Sequence, residues 1–394
     1  MKIDFVKKLS ALLLCGAILA STAAIYGCAG DGNNGGGDTT IPDDTTMVDD
    51  TTADTEADTD VDIVYVESKY GYNMRGQLIN PLTGEAGDET MLTKRPVAIM
   101  INNARPSMPQ LGISQADVIY ECMAEYGITR LMAVSTNYEE LGAIGSVRSS
   151  REYYIDLAMN HNAIYIHAGG STQAYAELKS RKINNIDGVN KAAPGMFYRD
   201  ADRLATMASE HTLMTTGPQI ADGIAYFKYS TVTDPEMENT FSFIGYDEKP
   251  YTPGDGEALH VIIPYNTSHF PQYIYDETTG LYARYQFKGD KHIDGTTGEQ
   301  LTFNNIIIIA CPHYNVNDAK GHIEVSTTGT GEGYYISNGA YRKITWSKAT
   351  KDSPMVFFTS DGDELPMNVG KTIVNVVSPK VLGNTELNHS EAAE

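Results

Sequence analysis

The chain has 394 residues and a formal net charge of −22. That length accommodates two domains beyond any leader, and that charge leaves no basic stripe able to hold a polyphosphate backbone, which excludes nucleic acid as a partner. Four cysteines and nine histidines are scattered without zinc-like spacing, so neither a metal nor a cofactor is expected.

The first element is a leader. Lys2, Lys7 and Lys8 form a basic start, residues 9–24 are apolar, and small Gly27 precedes Cys28. This is the pattern of a cleaved export signal over residues 1–27. A cysteine directly after the small residue resembles the lipobox of bacterial lipoproteins. On that reading Cys28 is the lipid-attachment site, and the protein sits on the outer face of the bacterial cytoplasmic membrane. An ordinary signal cut at another small residue is the alternative. Residues 28–62 follow with eleven acidic residues from Asp31 to Asp62 and no aromatic one. Too little apolar surface is present to offset ordering entropy, so this stretch is expected to be a disordered acidic tether. Its r.m.s. reach is on the order of 30 Å.

From residue 63 the pattern becomes that of a folded chain. Residues 97–102, Val-Ala-Ile-Met-Ile-Asn, read as a strand apolar on both faces. Residues 117–125 and 128–136 read as two strands around Tyr126-Gly127, residues 141–147 as a short strand, and residues 163–167 as another. Helical periodicity marks residues 149–160 and 172–181, with further helices near 201–210 and 218–227. This half, residues 63–232, is expected to be a mixed α/β domain of strand-loop-helix units. Beyond residues 231–239 helical periodicity nearly vanishes. Short β-rich runs recur at 259–264, 273–275, 282–287, 305–311, 322–326, 334–337, 341–346, 355–359 and 371–377, separated by turn signals. They predict a smaller, mostly-β domain over residues 238–382, a sandwich or barrel. Residues 383–394 read as a disordered tail. Cys122 and Cys311, one in each half, read as small buried hydrophobes more readily than as a bridge.

Chemistry concentrates in residues 128–172. Arg130 lies on a strand. Arg148, Ser149, Ser150 and Arg151 sit where a strand passes into a helix, and His167, Gly169, Gly170 and Ser171 repeat that form. Free backbone N–H groups at such a junction favour an anion, and two arginines add charge-assisted donors. The competing reading makes the arginines internal salt-bridge partners in an acidic chain. Glu121, Glu125 and Glu152 are candidate acids or bases if they face a crevice, or partners of Arg130 across the hairpin. His292 and Asp294 are close in sequence, but Asp294-Gly295 reads as a turn.

These segments resemble the YerB-like lipoproteins, whose two consecutive domains are of unknown function. The carriers are residues 95–103, 115–121, Gly127-Ile128-Thr129-Arg130, 144–151, His167-Ala168-Gly169-Gly170-Ser171, His292-Ile293-Asp294 and Ile344-Thr345-Trp346-Ser347-Lys348. The resemblance spans about residues 80–379 and implies a cell-surface lipoprotein without an established activity. The expected function is binding of an anionic envelope ligand or an envelope partner protein, non-catalytic or regulatory, by Arg130, Arg148, Ser149, Ser150, Arg151, His167, Gly169, Gly170 and Ser171. The partners expected are the membrane, through the N-terminal lipid, and a cell-wall polymer, a polyprenyl phosphate or an envelope protein. The alternative is an enzyme acting on phosphate-linked envelope glycans, a phosphotransferase or hydrolase. Asp117 followed by an arginine-bearing loop loosely resembles the LytR-CpsA-Psr phosphotransferases, and Glu121, Glu152 or His167 would then act as acid–base groups.

Overall fold

The computed structural model describes residues 69–389. The export signal, Cys28, the acidic tether and residues 390–394 of the expected tail lie outside the described residues. The fold is mixed α and β, with the longer helices in the first half and mostly strand in the second. The first half supplies β1 (Val97–Asn102), β2 (Val118–Met123), β3 (Thr129–Ser135), β4 (Ile164–His167) and β5 (Asn185–Asp187). It also supplies α1 (Glu152–Met159), α2 (Thr172–Ser180), α3 (Ala201–Thr206) and α4 (Gly217–Phe227). The second half adds β6 (His260–Ile262), β7 (Gln272–Asp276), β8 (Leu281–Gln286), β9 (Asn305–Ala310), β10 (Gly329–Ser337), β11 (Ala340–Lys348) and β12 (Thr372–Val377). A short α5 (Pro379–Gly383) follows.

Strands from both halves form one eleven-stranded sheet. Its order runs from Gly256–Glu257 through β11, β10, β9, β12, β2, β3, β1 and β4 to β5, with Val356–Thr359 paired to β11. β12 sits in the middle, parallel to β2 on one side and to β9 on the other. Its sequence, Thr-Ile-Val-Asn-Val-Val, is buried along its whole length, as a strand covered on both faces must be. One face packs against α1, α2 and the aromatic rings of Phe241, Phe243 and Phe357. The other packs against α4 and a smaller sheet built from β6, β7 and β8 with two short strands.

The second half therefore does not close on itself as a separate sandwich or barrel. Its most apolar strands, β9 and β12, find parallel partners, and a parallel neighbour with both faces covered is what continuous Ile/Val runs require. The strand expected at residues 141–147 contracts to Ile144–Gly145, paired with Leu213–Thr215. Added to the expected elements are β5, Tyr198–Arg199 and Leu213–Thr215, all of three residues or fewer. The tail expected from residue 383 is instead ordered as far as His389. Glu386 bridges Ile262, and the His389 N–H donates to the His260 carbonyl at 2.8 Å. Cys122 and Cys311 are free and buried. β12 lies between their strands, a separation of roughly 10 Å that is beyond disulfide reach.

Lys348, at the end of β11, is fully buried. Its ammonium donates to Asn160 Oδ1 at 2.7 Å and to the Ser353 carbonyl. Burial lowers its pKa to about 7, with Asp156 partly offsetting. The unfolded chain then holds more protons than the fold between about pH 7 and 10.5, so stability rises with pH across that window. A gain on the order of 2 kcal/mol is expected between pH 7 and 9. Urea midpoints at both pH values test this, and the Lys348→Met variant should lose the slope.

Candidate functional site

The residues singled out by sequence come together at one edge of the large sheet. β1, β4 and β5 are mutually parallel, so their carboxyl ends Asn102, His167 and Asp187 share that edge. Residues 147–151 cross it. Val147 bridges Ile101, the Arg148 N–H donates to the Met100 carbonyl at 2.8 Å, and the Ser150 N–H donates to the Gly169 carbonyl at 2.9 Å. Gly170 bridges Ser150. Gly169 has φ +77°, in the region glycine enters without penalty, and its N–H donates to Asp187 Oδ1 at 2.7 Å. Ser171 caps α2, accepting from the Ala174 N–H at 3.0 Å, while its hydroxyl donates to Glu152 Oε2 at 3.2 Å.

The guanidinium groups at this edge are answered from within. Glu125 accepts from Arg130 on one oxygen and from Arg151 on the other, the latter at 2.7 Å. Arg130 also donates to the Ser149 carbonyl at 2.5 Å, and Arg151 to the Ser150 carbonyl at 2.6 Å. Arg148 pairs with Glu210 at 3.1 Å. Burial, reinforced by Arg151, lowers Arg130 to about 10. Ser150 accepts from the Tyr165 hydroxyl at 3.1 Å. His167 is buried, with Nδ1 donating to the Gly169 carbonyl at 2.8 Å and Nε2 facing Asn185 Oδ1 at 3.3 Å. Burial lowers its pKa, opposed by Asp187. The nine residues are neighbours, and each of the three arginines has an acidic partner, with the single charge of Glu125 shared between Arg130 and Arg151.

A second polar cluster lies inside the protein, between the large sheet and the smaller one. Glu121 is fully buried. One carboxylate oxygen accepts from Thr129 at 2.7 Å, His269 at 2.6 Å and Asn103 at 3.1 Å; the other accepts from Arg284 at 2.5 Å. Burial alone would raise its pKa. Arg284 and then His269 outweigh that, aided by the hydrogen bonds, and hold it at about 2. Arg284, also fully buried, contacts His292 Nδ1, whose Nε2 meets Gln110 Oε1 at 2.9 Å. Burial, then Arg284, pushes the His292 pKa well down. Asp294 closes the join by accepting from the N–H groups of Gly112 at 2.9 Å, Ser114 at 2.8 Å and Thr296 at 2.7 Å. The last bond is the turn expected for Asp294-Gly295, and the first two tie that turn to the first half.

Behind Tyr265, whose hydroxyl donates to the Glu121 carbonyl at 3.1 Å, the molecule opens into a cleft of about 750 Å³. It lies at the carboxyl ends of β2 and β12, where Met123 and Ser378 contribute to its wall. Ligands of parallel sheets collect at such ends. Ile262, Phe270, Ile323 and Val381 make the wall mainly apolar. His313 stands at its margin with Nδ1 donating to the Cys311 carbonyl at 2.7 Å and Nε2 3.8 Å from Cys122 Sγ. The Cys122 thiol pKa is raised well up by burial, so this is an inert contact and not an activated nucleophile.

Family models match both halves of the chain: the N-terminal domain of a protein of unknown function, DUF3048, over residues 82–230, and its C-terminal domain over residues 261–374. The chain belongs to the DUF3048 family. A relative in Bacillus subtilis named "Putative lipoprotein YerB" is 28% identical over 300 residues, covering 75% of this chain and 85% of the relative. The crystal structure of the YerB protein from Bacillus subtilis aligns with a TM-score of 0.66 at 26% identity, covering 79% of this chain and 99% of that one. The two DUF3048 halves both reach the cleft: Met123 comes from the N-terminal match, and Ile262, Phe270 and Ile323 from the C-terminal one.

Sequence reasoning missed the cleft and the Arg284 cluster. The cleft is assembled from four separated segments, and no single one carries a signal. Arg284 did carry one. In β8 burial alternates, with Tyr282, Arg284 and Gln286 inward, and a charge at an inward position demands a buried counter-ion. Glu121, at an inward position of β2, is that counter-ion.

Proposed function

We propose that this DUF3048 chain is a lipid-anchored surface protein that holds an apolar segment of a partner protein in the cleft behind Tyr265. The carrying observation is the cleft itself: about 750 Å³, mainly apolar, and open at the carboxyl ends of the central strands. Its polar margin suits a polypeptide better than a strongly acidic ligand. One lysine, Lys380, and one carboxylate, Glu386, line it, and Glu386 is paired with His389. Asn315 and Asn384 present amides that match peptide N–H and C=O groups. Three residues after Met123, Tyr126 is 69% exposed, and on the strand between His313 and Asn315, Tyr314 is 57% exposed. Tyrosine is among the residues enriched at protein interfaces. Lipid anchoring rests on Cys28 and on the name of the Bacillus subtilis relative.

The binding reading is also favoured over the enzymatic one by two of the three acid–base candidates, Glu152 being the exception because burial raises its pKa. Glu121 is enclosed and held ionised, and both His167 ring nitrogens are engaged. A photo-crosslinking residue at Asn384, in full-length protein in its native cells, tests the proposal. A discrete protein adduct that disappears in an Ile262→Arg variant of unchanged melting temperature is expected. Adducts with lipid or glycan alone, or a protein adduct indifferent to Ile262→Arg, would overturn it.

A further inference from the structure

At the outer edge of the large sheet, away from the cleft, a recess of about 470 Å³ opens beside β5. Three lysines stand around it. Lys179 lies in the last turn of α2, Lys182 just beyond it, and Lys191 on the loop after β5. In a chain of net charge −22 this is a local reversal of sign. The ammonium groups of Lys179 and Lys182 have no hydrogen-bond or ion-pair partner among the described residues. Lys191 is held in place: its ammonium meets the Tyr229 hydroxyl at 2.6 Å and stands 5.3 Å from the ring centroids of both Phe227 and Tyr229. Lys179 alone would have a bland explanation, since a cation in the last turn complements the helix dipole. Lys182 and Lys191 lie outside that turn.

The recess holds one carboxylate, Asp187, and its acceptor capacity is taken. Oδ1 accepts from the N–H groups of Gly169 at 2.7 Å and Val189 at 2.9 Å; Oδ2 accepts from the Tyr175 hydroxyl at 2.7 Å and the Asn190 amide at 3.1 Å. None of the three lysines forms an ion pair with it among the described residues. Tyr175 and Tyr229 line the wall, and Asn184 adds an amide with no side-chain partner among the described residues. Ammonium groups for an acid, aromatic surface for a ring of C–H bonds and an amide for hydroxyls are together the recognition chemistry of an acidic sugar. We infer that this recess binds an anionic saccharide, a sugar carrying a phosphate or a carboxylate. The volume suits a mono- or disaccharide. The site is separate from the cleft and does not depend on what the cleft holds.

Isothermal titration of the full-length protein separates the components of this chemistry. The probes are glucose 6-phosphate, glucuronic acid, glucose and inorganic phosphate. Saturable binding of at least one of the two acidic sugars is expected, with glucose and inorganic phosphate each weaker by about tenfold or more, a difference of about 1.4 kcal/mol. Which acidic sugar binds more tightly tells phosphate from carboxylate. The Lys179→Gln/Lys182→Gln variant should lose about tenfold in affinity at unchanged melting temperature, because both positions are exposed. The Lys179→Arg/Lys182→Arg variant should retain binding, and Ile262→Arg should leave it untouched. No saturation by either acidic sugar, inorganic phosphate binding as tightly as the sugar acids, or full affinity in the glutamine variant would each overturn the inference.

Discussion

Replacing Arg284 by Met should destabilise the fold by about 3–5 kcal/mol, because it strands the Glu121 carboxylate in a site with no access to water. Arg284 and Glu121 are both fully buried and 2.5 Å apart. The pair need not stabilise the protein relative to apolar residues of the same volume; what costs is breaking it from one side. The Glu121→Met/Arg284→Met double variant is therefore expected to recover much of the loss, and the double-mutant cycle measures the coupling. Equal destabilisation by the single and double changes would contradict this account. The same pair sets an acid limit. The folded-state pKa of Glu121 lies at about 2, below its ordinary value of 4.5. Its contribution is thus complete above about pH 5 and lost as pH falls toward 2. Denaturant midpoints between pH 6 and 3 should decline in the wild type and decline less in the double variant.

Expressed apart, residues 69–230 and residues 231–389 should each fail to fold cooperatively, and co-expression should restore the native sheet. The family models divide the chain between residues 230 and 261, which invites treating the halves as separable. The strand order argues otherwise. Without β12, the N-terminal half exposes the edge of β2, a strand buried at Val118, Ile119, Tyr120, Glu121 and Cys122. It also uncovers the face that β6, β7 and β8 protect, and leaves Glu121 without Arg284. An apolar strand edge with open backbone groups is an aggregation template. Circular dichroism melts of each half, alone and together, test this. A cooperative melt from the isolated N-terminal half would refute it.

The local elements were legible because their physics is local. Val97–Asn102 is apolar at every position and appears with the expected bounds. The turn at Tyr126-Gly127 and the Ser171 cap rely on residues with short-range preferences. Strand partnership was not legible. Nothing inside Thr372–Val377 tells it to pair with Val118–Met123 some 250 residues earlier, and a continuous apolar run states only that both faces are covered. The edge strand Asn185–Asp187 is too short and too polar to show periodicity. At the candidate site, sequence placed Arg130, Arg148 and Arg151 near one another and offered Glu125 as a partner of Arg130 across the hairpin, but gave neither Arg148 nor Arg151 its counter-charge. Glu125 sits in the hairpin turn and Glu210 on a distant loop. The three lysines of the edge recess are spread over thirteen residues in a chain whose overall charge hides them.

The position of β12 has a consequence for how the chain comes into being. The strand that fills the centre of the sheet is the last one of the large sheet to leave the ribosome. Until residue 377 has been made, β2 and β9 have no strand to join them, and no truncated chain can close the sheet. The long-range pairing makes closure slow as well as late. A polypeptide whose central strand comes after all the others keeps its core unclosed throughout the synthesis of the strands before it. A chain cut before residue 372 lacks the strand that joins β2 to β9 and presents both edges to proteases.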